Sequence, residues 1–150
     1  MQPVSSSRVV AGATPGELFA IVTDFASYPR LFSDVKSTRT VSVEGNRHRV
    51  EFRLEMVVPI RYVLDLLTDP EKATVDWTYV EGEVVTGSEG GWRFVAVPEG
   101  TRMEYRASLT IKAPLPGFIV RRVTDALVSA SLPAMFDAIV REHQARKGGG

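Results

Sequence analysis

A run of alternating strand patterns followed by one long apolar helix pattern is the feature that most constrains the fold of this chain. The strand patterns fill residues 48–111, and the helix pattern runs from Phe118 to about His143. A sheet that is apolar on one face must cover that face with another element. We therefore expect the helix to lie along the sheet. A strongly curved sheet wrapped round one helix leaves a gap between the two.

The alternation is strictest in two segments, residues 49–58 and 102–111. In both, apolar residues occupy every second position, which predicts antiparallel strands that are buried on one face and solvated on the other. The last strand should turn one set of side chains toward the helix and the other toward water, namely Met103, Tyr105 and Leu109 against Arg102, Glu104 and Arg106.

Clusters of glycine, proline and acidic residues divide this region into strands. Glycine and proline interrupt strand ladders because one lacks a side chain and the other lacks an N–H. The expected interruptions are turns at 44–46, 69–71 and 98–100, a bend or turn at Pro59, a break at 81–83, and a bulge or tight turn at Gly90 and Gly91.

One strand and two short helices are predicted in the N-terminal part. Residues 4–11 are rich in strand-forming residues. Thr14 then suits the N-cap of a first helix, Pro15 suits its first turn, and Glu17 lies at the capping-box position. Asp24 can cap a second short helix directly afterwards. Two short helices after a single strand are typical of a corner between a sheet and its covering layer.

The C-terminal helix pattern contains Pro133, which has no N–H to donate to the carbonyl of Ser129. We expect a kink between these two residues, or a restart of the helix with Ser131 as its cap. Residues 146–150 are expected to form a disordered tail. The sequence therefore predicts one domain over residues 1–145.

The composition excludes several classes of function. The 18 basic residues balance the 18 acidic ones, so the basic footprint of a nucleic-acid-binding protein is missing. The chain contains no cysteine, which excludes disulfides, thiol chemistry and cysteine-ligated metal sites. No segment has the apolar core of a signal peptide or the roughly 18 apolar residues of a membrane span. We therefore expect a cytoplasmic protein without a nucleic-acid partner or an integral membrane segment.

Four parts of the sequence, taken with this order of elements, are characteristic of a known family. They are residues 18–32, the turn at Gly82, residues 91–94 and the ending from Pro114 to Phe136. In these parts the chain resembles the START-like helix-grip superfamily, also called SRPBCC, to which the birch-pollen allergens belong. Its polyketide cyclase and coenzyme Q-binding branch is the most similar. The resemblance extends over nearly the whole chain. It implies an α+β helix-grip fold, in which a curved antiparallel sheet of about seven strands wraps round the long C-terminal helix, with two short helices after the first strand.

The resemblance implies a deep apolar cavity between sheet and helix, but no shared set of catalytic residues. We predict an enclosed apolar pocket of roughly 300 Å³ or more, formed by the strands at 50–58, 75–80 and 101–111 and by the last helix. Taken alone, the inward side chains favour a filled core, and it is the resemblance that favours an open space between the middles of the strands and the helix. The predicted ligand-binding residues are Phe52, Leu54, Met56, Tyr62, Leu64, Trp77, Tyr79, Trp92, Phe94, Met103, Tyr105, Val123 and Leu127.

The sequence offers few candidates for catalysis. Arg61 follows a proline-interrupted segment, so its register is open: facing inward it could bind a carboxylate, phenolate or enolate, and facing outward it would be solvated. His48 and His143 have no nucleophile or carboxylate beside them in a catalytic pattern. Two isolated histidines also do not form a metal site. No catalytic residue, metal or cofactor is predicted.

Three functions are compatible with these features. The first is a carrier or chaperone that binds a hydrophobic small molecule, such as a lipid, an isoprenoid quinone or a polyketide, in the cavity. The second is a polyketide aromatase/cyclase that uses pocket tyrosines and Arg61. The third is a protein-interaction module of the kind associated with ribosomes or respiratory complexes. The sequence leaves the identity of the ligand and the oligomeric state open.

Overall fold

A single seven-stranded antiparallel sheet forms the body of the protein, in the order β1-β7-β6-β5-β4-β3-β2. The computed structural model describes residues 2–56, 58–111, 115–126 and 131–148. The elements are β1 (Gln2–Ala11), α1 (Pro15–Val22), a 3-10 turn (Phe25–Ser27), α2 (Tyr28–Leu31), β2 (Val35–Glu44), β3 (Arg47–Met56), β4 (Val58–Asp69), β5 (Thr74–Glu83), β6 (Val85–Val97), β7 (Gly100–Ile111), α3 (Gly117–Ala126) and α4 (Leu132–Gly148).

The N-terminal strand β1 lies at one edge of the sheet, next to the last strand β7. Strands β2 to β7 follow one another as antiparallel neighbours, and β1 pairs with β7 from Gln2 against Leu109 to Ala11 against Gly100. Register shifts interrupt the pairing of β2 with β3, of β4 with β5, and of β6 with β7. Such bulges bend a strand and increase its twist. The sheet, its two short N-terminal helices and its long C-terminal helix confirm the predicted helix-grip architecture.

Two of the predicted interruptions, at Pro59 and at residues 81–83, lie inside strands. Met56 pairs with Val58, so the chain turns before Pro59, which lies inside β4 opposite Glu55. Strand β5 continues to Glu83, and the turn that follows it contains Val84 with φ of 74°. In both places a glycine or proline that sequence reasoning took for a breaker is accommodated within a ladder.

Strand β6 also runs without a break through Gly90 and Gly91. Glycine is needed at these positions because the neighbouring strands approach the backbone closely, and not because the chain turns there. A Cβ on Gly90 would lie 2.2 Å from the carbonyl oxygen of Arg106 and 2.7 Å from Cζ2 of Trp77. The Trp77 indole therefore lies directly against the backbone of the neighbouring strand, where no side chain could be accommodated.

The N-terminal helices form as predicted. The Thr14 hydroxyl accepts a hydrogen bond from the Glu17 N–H at 3.2 Å, and the Glu17 carboxylate accepts one from the Thr14 N–H at 2.9 Å. This capping box satisfies two amide groups that the first turn leaves unpaired. Leu18 and Ile21 on the opposite side are completely buried, and α1 packs against β6 and α4.

The C-terminal helix pattern corresponds to two described helices, α3 and α4. The kink predicted between Ser129 and Pro133 lies largely outside the described residues, and Pro133 itself occupies the first turn of α4, where a missing N–H is tolerated. Helix α4 continues to Gly148, so the predicted tail is helical over its first three residues. Lys147 there donates to the carbonyl oxygen of Gly12 at 2.8 Å. In the parts of the chain that the structure describes, no helix is long and apolar enough to cross a membrane.

Candidate functional site

A cavity of about 290 Å³ lies between the concave face of the sheet and helices α2 and α4. Its volume is at the lower end of the roughly 300–1,000 Å³ of small-molecule sites. The sequence predicted an enclosed pocket, and this prediction is wrong, because the cavity is partly open to solvent. It is lined by Val4, Tyr28, Leu31, Phe32, Ser33, Asp34, Val35, Phe52, Leu54, Ile60, Tyr62, Leu64, Leu66, Trp77, Val85, Ser88, Trp92, Tyr105, Ala107, Ser108, Leu109, Ser131, Leu132, Ala134, Met135 and Arg141.

Seven of the residues predicted to bind a ligand line this cavity. They come from five strands, β3 to β7, and their side chains meet because alternate residues of each strand point to the concave face. Whether they contact a ligand remains a prediction. The seven are Phe52, Leu54, Tyr62, Leu64, Trp77, Trp92 and Tyr105.

Four others face inward but do not line the cavity. Phe94 and Met103 belong to the main core, where they are almost completely buried under α1 and α4. Tyr79 and Val123 pack in a second core cluster with Ile60, and the Tyr79 hydroxyl donates to the carbonyl oxygen of Val85 at 2.9 Å. An inward-facing side chain therefore does not always line the cavity, because these four pack within the two core clusters instead. Met56 and Leu127 lie where the structure describes no side chain.

Sequence reasoning missed the part of the lining that α2 and the start of α4 supply. Leu31 and Phe32 lie at the end of the single-turn helix α2, and Leu132 and Met135 lie on the first turn of α4. Helix α2 is a single turn, so its apolar residues give no periodic signal. Ser88 was missed for a different reason. The register shift between Val85 and Gly87 sets which face it occupies, and the sequence does not reveal this shift.

Aromatic rings form much of the cavity wall. The Tyr105 ring lies 4.8 Å from Trp92 and 5.8 Å from Trp77, measured between ring centroids. On the other side Tyr62 stacks on Phe52 at 5.5 Å. Rings at these separations attract one another and have few rotamers. The wall is therefore apolar and preformed.

The four tyrosines differ in what their hydroxyl groups contact. Tyr28 donates to the carbonyl oxygen of Val22 at 2.5 Å, and Tyr79 donates to that of Val85 at 2.9 Å. The hydroxyls of Tyr62 and Tyr105, both of which line the cavity, form no hydrogen bond with a described residue. Burial raises the pKa of Tyr105 to about 12. Burial also raises the pKa of Tyr62, and the nearby Tyr105 adds to this effect. Both phenols are therefore neutral donors at physiological pH.

Polar groups gather at the mouth, where α2 and β2 meet α4. The Ser131 hydroxyl donates to Oδ2 of Asp34 at 2.5 Å, which joins the chain before β2 to the start of α4. Arg30 of α2 binds both carboxylate oxygens of Glu142 at 3.0 Å. The hydrogen bonds from Arg30 and from Arg146 lower the pKa of Glu142 to about 2. These contacts join α2 and the chain before β2 to α4.

Arg61 faces away from the cavity. Its guanidinium donates to Glu51 at 2.8 Å and to Glu81 at 2.9 Å on the convex face of the sheet. Glu51 also pairs with Arg39 and Arg53, and its pKa is lowered chiefly by the hydrogen bond from Arg61. The open register of Arg61 is thus decided in favour of the solvated face.

The histidines also lie away from the cavity. His143 is buried, with Nε2 at 3.2 Å from the Glu17 carboxylate, and the ring of His48 packs edge-on against Phe25. Neither belongs to the lining. In the described lining, the acidic and basic side chains are Asp34 and Arg141, both toward the mouth. The interior therefore contains hydrogen-bond donors but no described imidazole or carboxylate that could act as a base.

The fold agrees with comparisons to known proteins. The family model described as "Polyketide cyclase / dehydrase and lipid transport" matches residues 1–144. A comparison with curated proteins gave no match. A solved structure from Thermus thermophilus is similar, with a TM-score of 0.84, 21% identity, and coverage of 97% of this chain and 99% of that one.

Two further structures share the fold. The Zhui aromatase/cyclase from Streptomyces has a TM-score of 0.85 and 15% identity, over 97% of this chain and 94% of that one. A START superfamily protein from Mycobacterium smegmatis has a TM-score of 0.75 and 18% identity, over 95% and 97% of the two chains. These identities support the fold alone, whereas the family model covers nearly the whole sequence. The chain therefore belongs to the polyketide cyclase/dehydrase and lipid transport family, within the START-like superfamily.

Proposed function

We propose that this protein binds a hydrophobic small molecule in the cavity between sheet and C-terminal helix, as a carrier or chaperone. The observation that carries the proposal is the preformed cavity of about 290 Å³, walled by aromatic rings. Elsewhere on the same sheet face, side chains such as Met103 are packed with no exposure at all. Local packing thus leaves space in one place while filling another, as expected for a binding site.

Apolar burial would supply most of the affinity. A ligand that loses roughly 200 Å² of apolar surface gains about 5 kcal/mol at about 25 cal/mol per Å². Part of this gain offsets the loss of translational and rotational freedom on binding. The stacked and tilted rings of Phe52, Tyr62, Trp92 and Tyr105 need little reordering, because packing already restricts their rotamers. A preformed wall of this kind lowers the cost of binding.

A polyketide cyclase activity is the second candidate. Its support is that the phenols of Tyr62 and Tyr105 stay protonated and could donate to the developing charge of an enolate. Arg61, which was expected to assist, lies on the convex face and cannot take part. A cyclisation also needs a proton acceptor near the reacting carbon, and the described interior offers none. The geometry therefore favours binding over catalysis.

Native mass spectrometry of the protein isolated from its own host tests the proposal. A co-purifying small molecule with the mass of a lipid, quinone or polyketide is the expected result. Ala107→Phe should fill the cavity and remove that molecule, because Ala107 belongs to its lining. Ala96→Phe is the matched control, since the same change is made at an exposed position of β6. Equal occupancy in the two variants would contradict binding in this cavity.

A further inference from the structure

We infer that the ligand carries uncharged hydrogen-bond acceptors, such as carbonyl or ether oxygens, which Tyr62, Tyr105 and Ser88 hold inside the cavity. This inference rests on the proposed binding function and narrows its ligand class. It separates acceptor-bearing ring compounds from simple hydrocarbons, and from fatty acids whose charged group would remain at the mouth.

The first observation is a difference among the four tyrosines. The hydroxyls of Tyr28 and Tyr79 each donate to a backbone carbonyl, at 2.5 and 2.9 Å. The hydroxyls of Tyr62 and Tyr105 form no hydrogen bond with a described residue, although the Tyr62 ring stacks on an aromatic neighbour and the Tyr105 ring contacts two. A phenol in an apolar setting normally finds a partner. Phenylalanine would fill the same volume without leaving a donor unpaired.

The second observation is that three further hydrogen-bond donors have no partner among the described residues. Ser88 is 9% exposed and lines the cavity, yet its hydroxyl contacts no described polar group. Trp77 and Trp92 are 8% and 5% exposed, and neither indole N–H forms a hydrogen bond with a described residue. Among the described residues, no side-chain nitrogen or oxygen that is fully sealed from solvent lacks a partner. The hydroxyls of Ser88, Tyr62 and Tyr105 are therefore accessible, and the space they line is the cavity.

The third observation is a lack of acceptors to match these donors. Asp34 supplies the one carboxylate of the described lining, and it already accepts from Ser131 at the mouth. The interior thus presents hydroxyl donors to its contents and no carboxylate in return. Each hydroxyl can also accept a hydrogen bond, but its own O–H, like the indole N–H groups of Trp77 and Trp92, can only be paired by an acceptor on the ligand.

The charge of the ligand follows from the depth of these donors. Burying an ion away from a counter-charge costs far more than burying a neutral carbonyl. The cation in the described lining is Arg141, which is exposed. An anionic group would therefore stay near Arg141 and leave the hydroxyls of Tyr62 and Tyr105 unpaired. A neutral carbonyl or ether oxygen can reach them. Because these phenols stay protonated, they would donate to it over the physiological pH range.

A pair of probes with the same ring system tests the inference: 1,4-naphthoquinone, which has two carbonyl oxygens, and naphthalene, which has none. Because the chain contains no cysteine, the quinone meets no thiol. Binding of both is measured by calorimetry for the wild type, Tyr62→Phe, Tyr105→Phe and Tyr79→Phe. The last variant removes a hydroxyl that is bonded to Val85 and does not line the cavity.

We expect the quinone to bind more tightly than naphthalene. Tyr62→Phe and Tyr105→Phe should each weaken quinone binding about 2- to 12-fold, which is the range of one hydrogen bond, and should leave naphthalene binding and the melting temperature unchanged. Tyr79→Phe should lower the melting temperature and leave the affinity for the quinone unchanged. Equal binding of both probes, insensitive to the two cavity variants, would overturn the inference and leave the binding function standing. Binding of neither probe would overturn both.

Discussion

Met103 and Tyr105 lie two residues apart on the same face of β7, yet one is sealed in a solid core and the other lines a cavity. The first belongs to a packed region, in which α1 packs against β6, and Met103 shares a buried cluster with Phe94, Leu18 and Ile21. The second belongs to an open region beneath α2 and the start of α4. The two regions share strands, alternation and aromatic content, so composition does not distinguish them.

The difference lies in the covering elements. Helix α1 spans Pro15–Val22 and is held to the sheet by the buried Thr101, whose hydroxyl donates to the carbonyl oxygen of Ala13 at 2.7 Å. Helix α2 spans only Tyr28–Leu31, so it offers a single turn to the sheet beside it. A short element over a curved sheet cannot bring side chains into every space below it. The cavity therefore arises where the cover is too short, even though large side chains line it.

The largest expected difference between the two regions is in the free energy of unfolding lost when a methionine is truncated to alanine. Met103→Ala should lower the free energy of unfolding by about 2–5 kcal/mol, because it leaves a void in a region with no exposure. Met135→Ala makes the same change in the open region and should cost clearly less, because that side chain already borders empty space. Urea denaturation of both variants measures the difference. Equal losses would mean that the two regions are packed alike.

A second test asks whether the wall of the open region is as tightly built as the packed one. Gly90→Ala should destabilise the protein by about 1–3 kcal/mol, because its Cβ would clash with the carbonyl of Arg106 and with the Trp77 ring. Gly87→Ala on the same strand is the control. Its Cβ would meet the nearest atom, on Thr110, at an ordinary 3.5 Å, so a change within about 0.5 kcal/mol is expected. If Gly90→Ala had the melting temperature of the wild type, the wall of the cavity would be able to adjust to the added methyl group.

The third prediction concerns Tyr105 itself. Tyr105→Ala should cost about 1–2 kcal/mol, the scale of its ring contacts with Trp92 and Trp77, and not the 3–5 kcal/mol of a truncated core aromatic. Binding of a quinone or fluorescent fatty-acid analogue should weaken. Glu104→Ala on the convex face should change stability by no more than about 0.5 kcal/mol. If Tyr105→Ala lost full core stability while binding stayed intact, Tyr105 would belong to the packed region.

The smallest expected effect is at the mouth and depends on pH. The pKa of Glu142 is lowered from 4.5 to about 2 in the folded protein by Arg30 and Arg146. A carboxyl with a depressed pKa contributes its stability above its ordinary pKa and loses it as the pH falls through the folded value. Wild type should therefore be more stable than Glu142→Gln by up to about 1 kcal/mol at pH 7.

That difference should shrink as the pH falls from about 4.5 to about 2. Denaturation curves of the two proteins at several pH values in this window measure it. A difference that stays constant across the window would mean that Glu142 is not ionised through its contacts with Arg30 and Arg146.

The sequence predicted more of the sheet than of the site. Strict alternation in β3 and β7 identified which side chains face inward, since a strand allows only two faces. It could not say that Tyr105 borders space while Met103 does not. That distinction depends on how far α1 and α2 extend over the sheet. Short helices such as α2 have no periodicity, so Leu31 and Phe32 gave no signal that they line the cavity.

What the sequence alone determined is the architecture: an antiparallel sheet with one apolar face, a capped corner at Thr14 and Glu17, and a helical C-terminal cover. These features depend on local patterns of two or 3.6 residues and on capping side chains. Only the tertiary structure decided where the cavity lies, that Arg61 points away from it, and which tyrosine hydroxyls are left unpaired. Those outcomes depend on contacts between residues far apart in the chain and on bulges that shift the register, which no local pattern encodes.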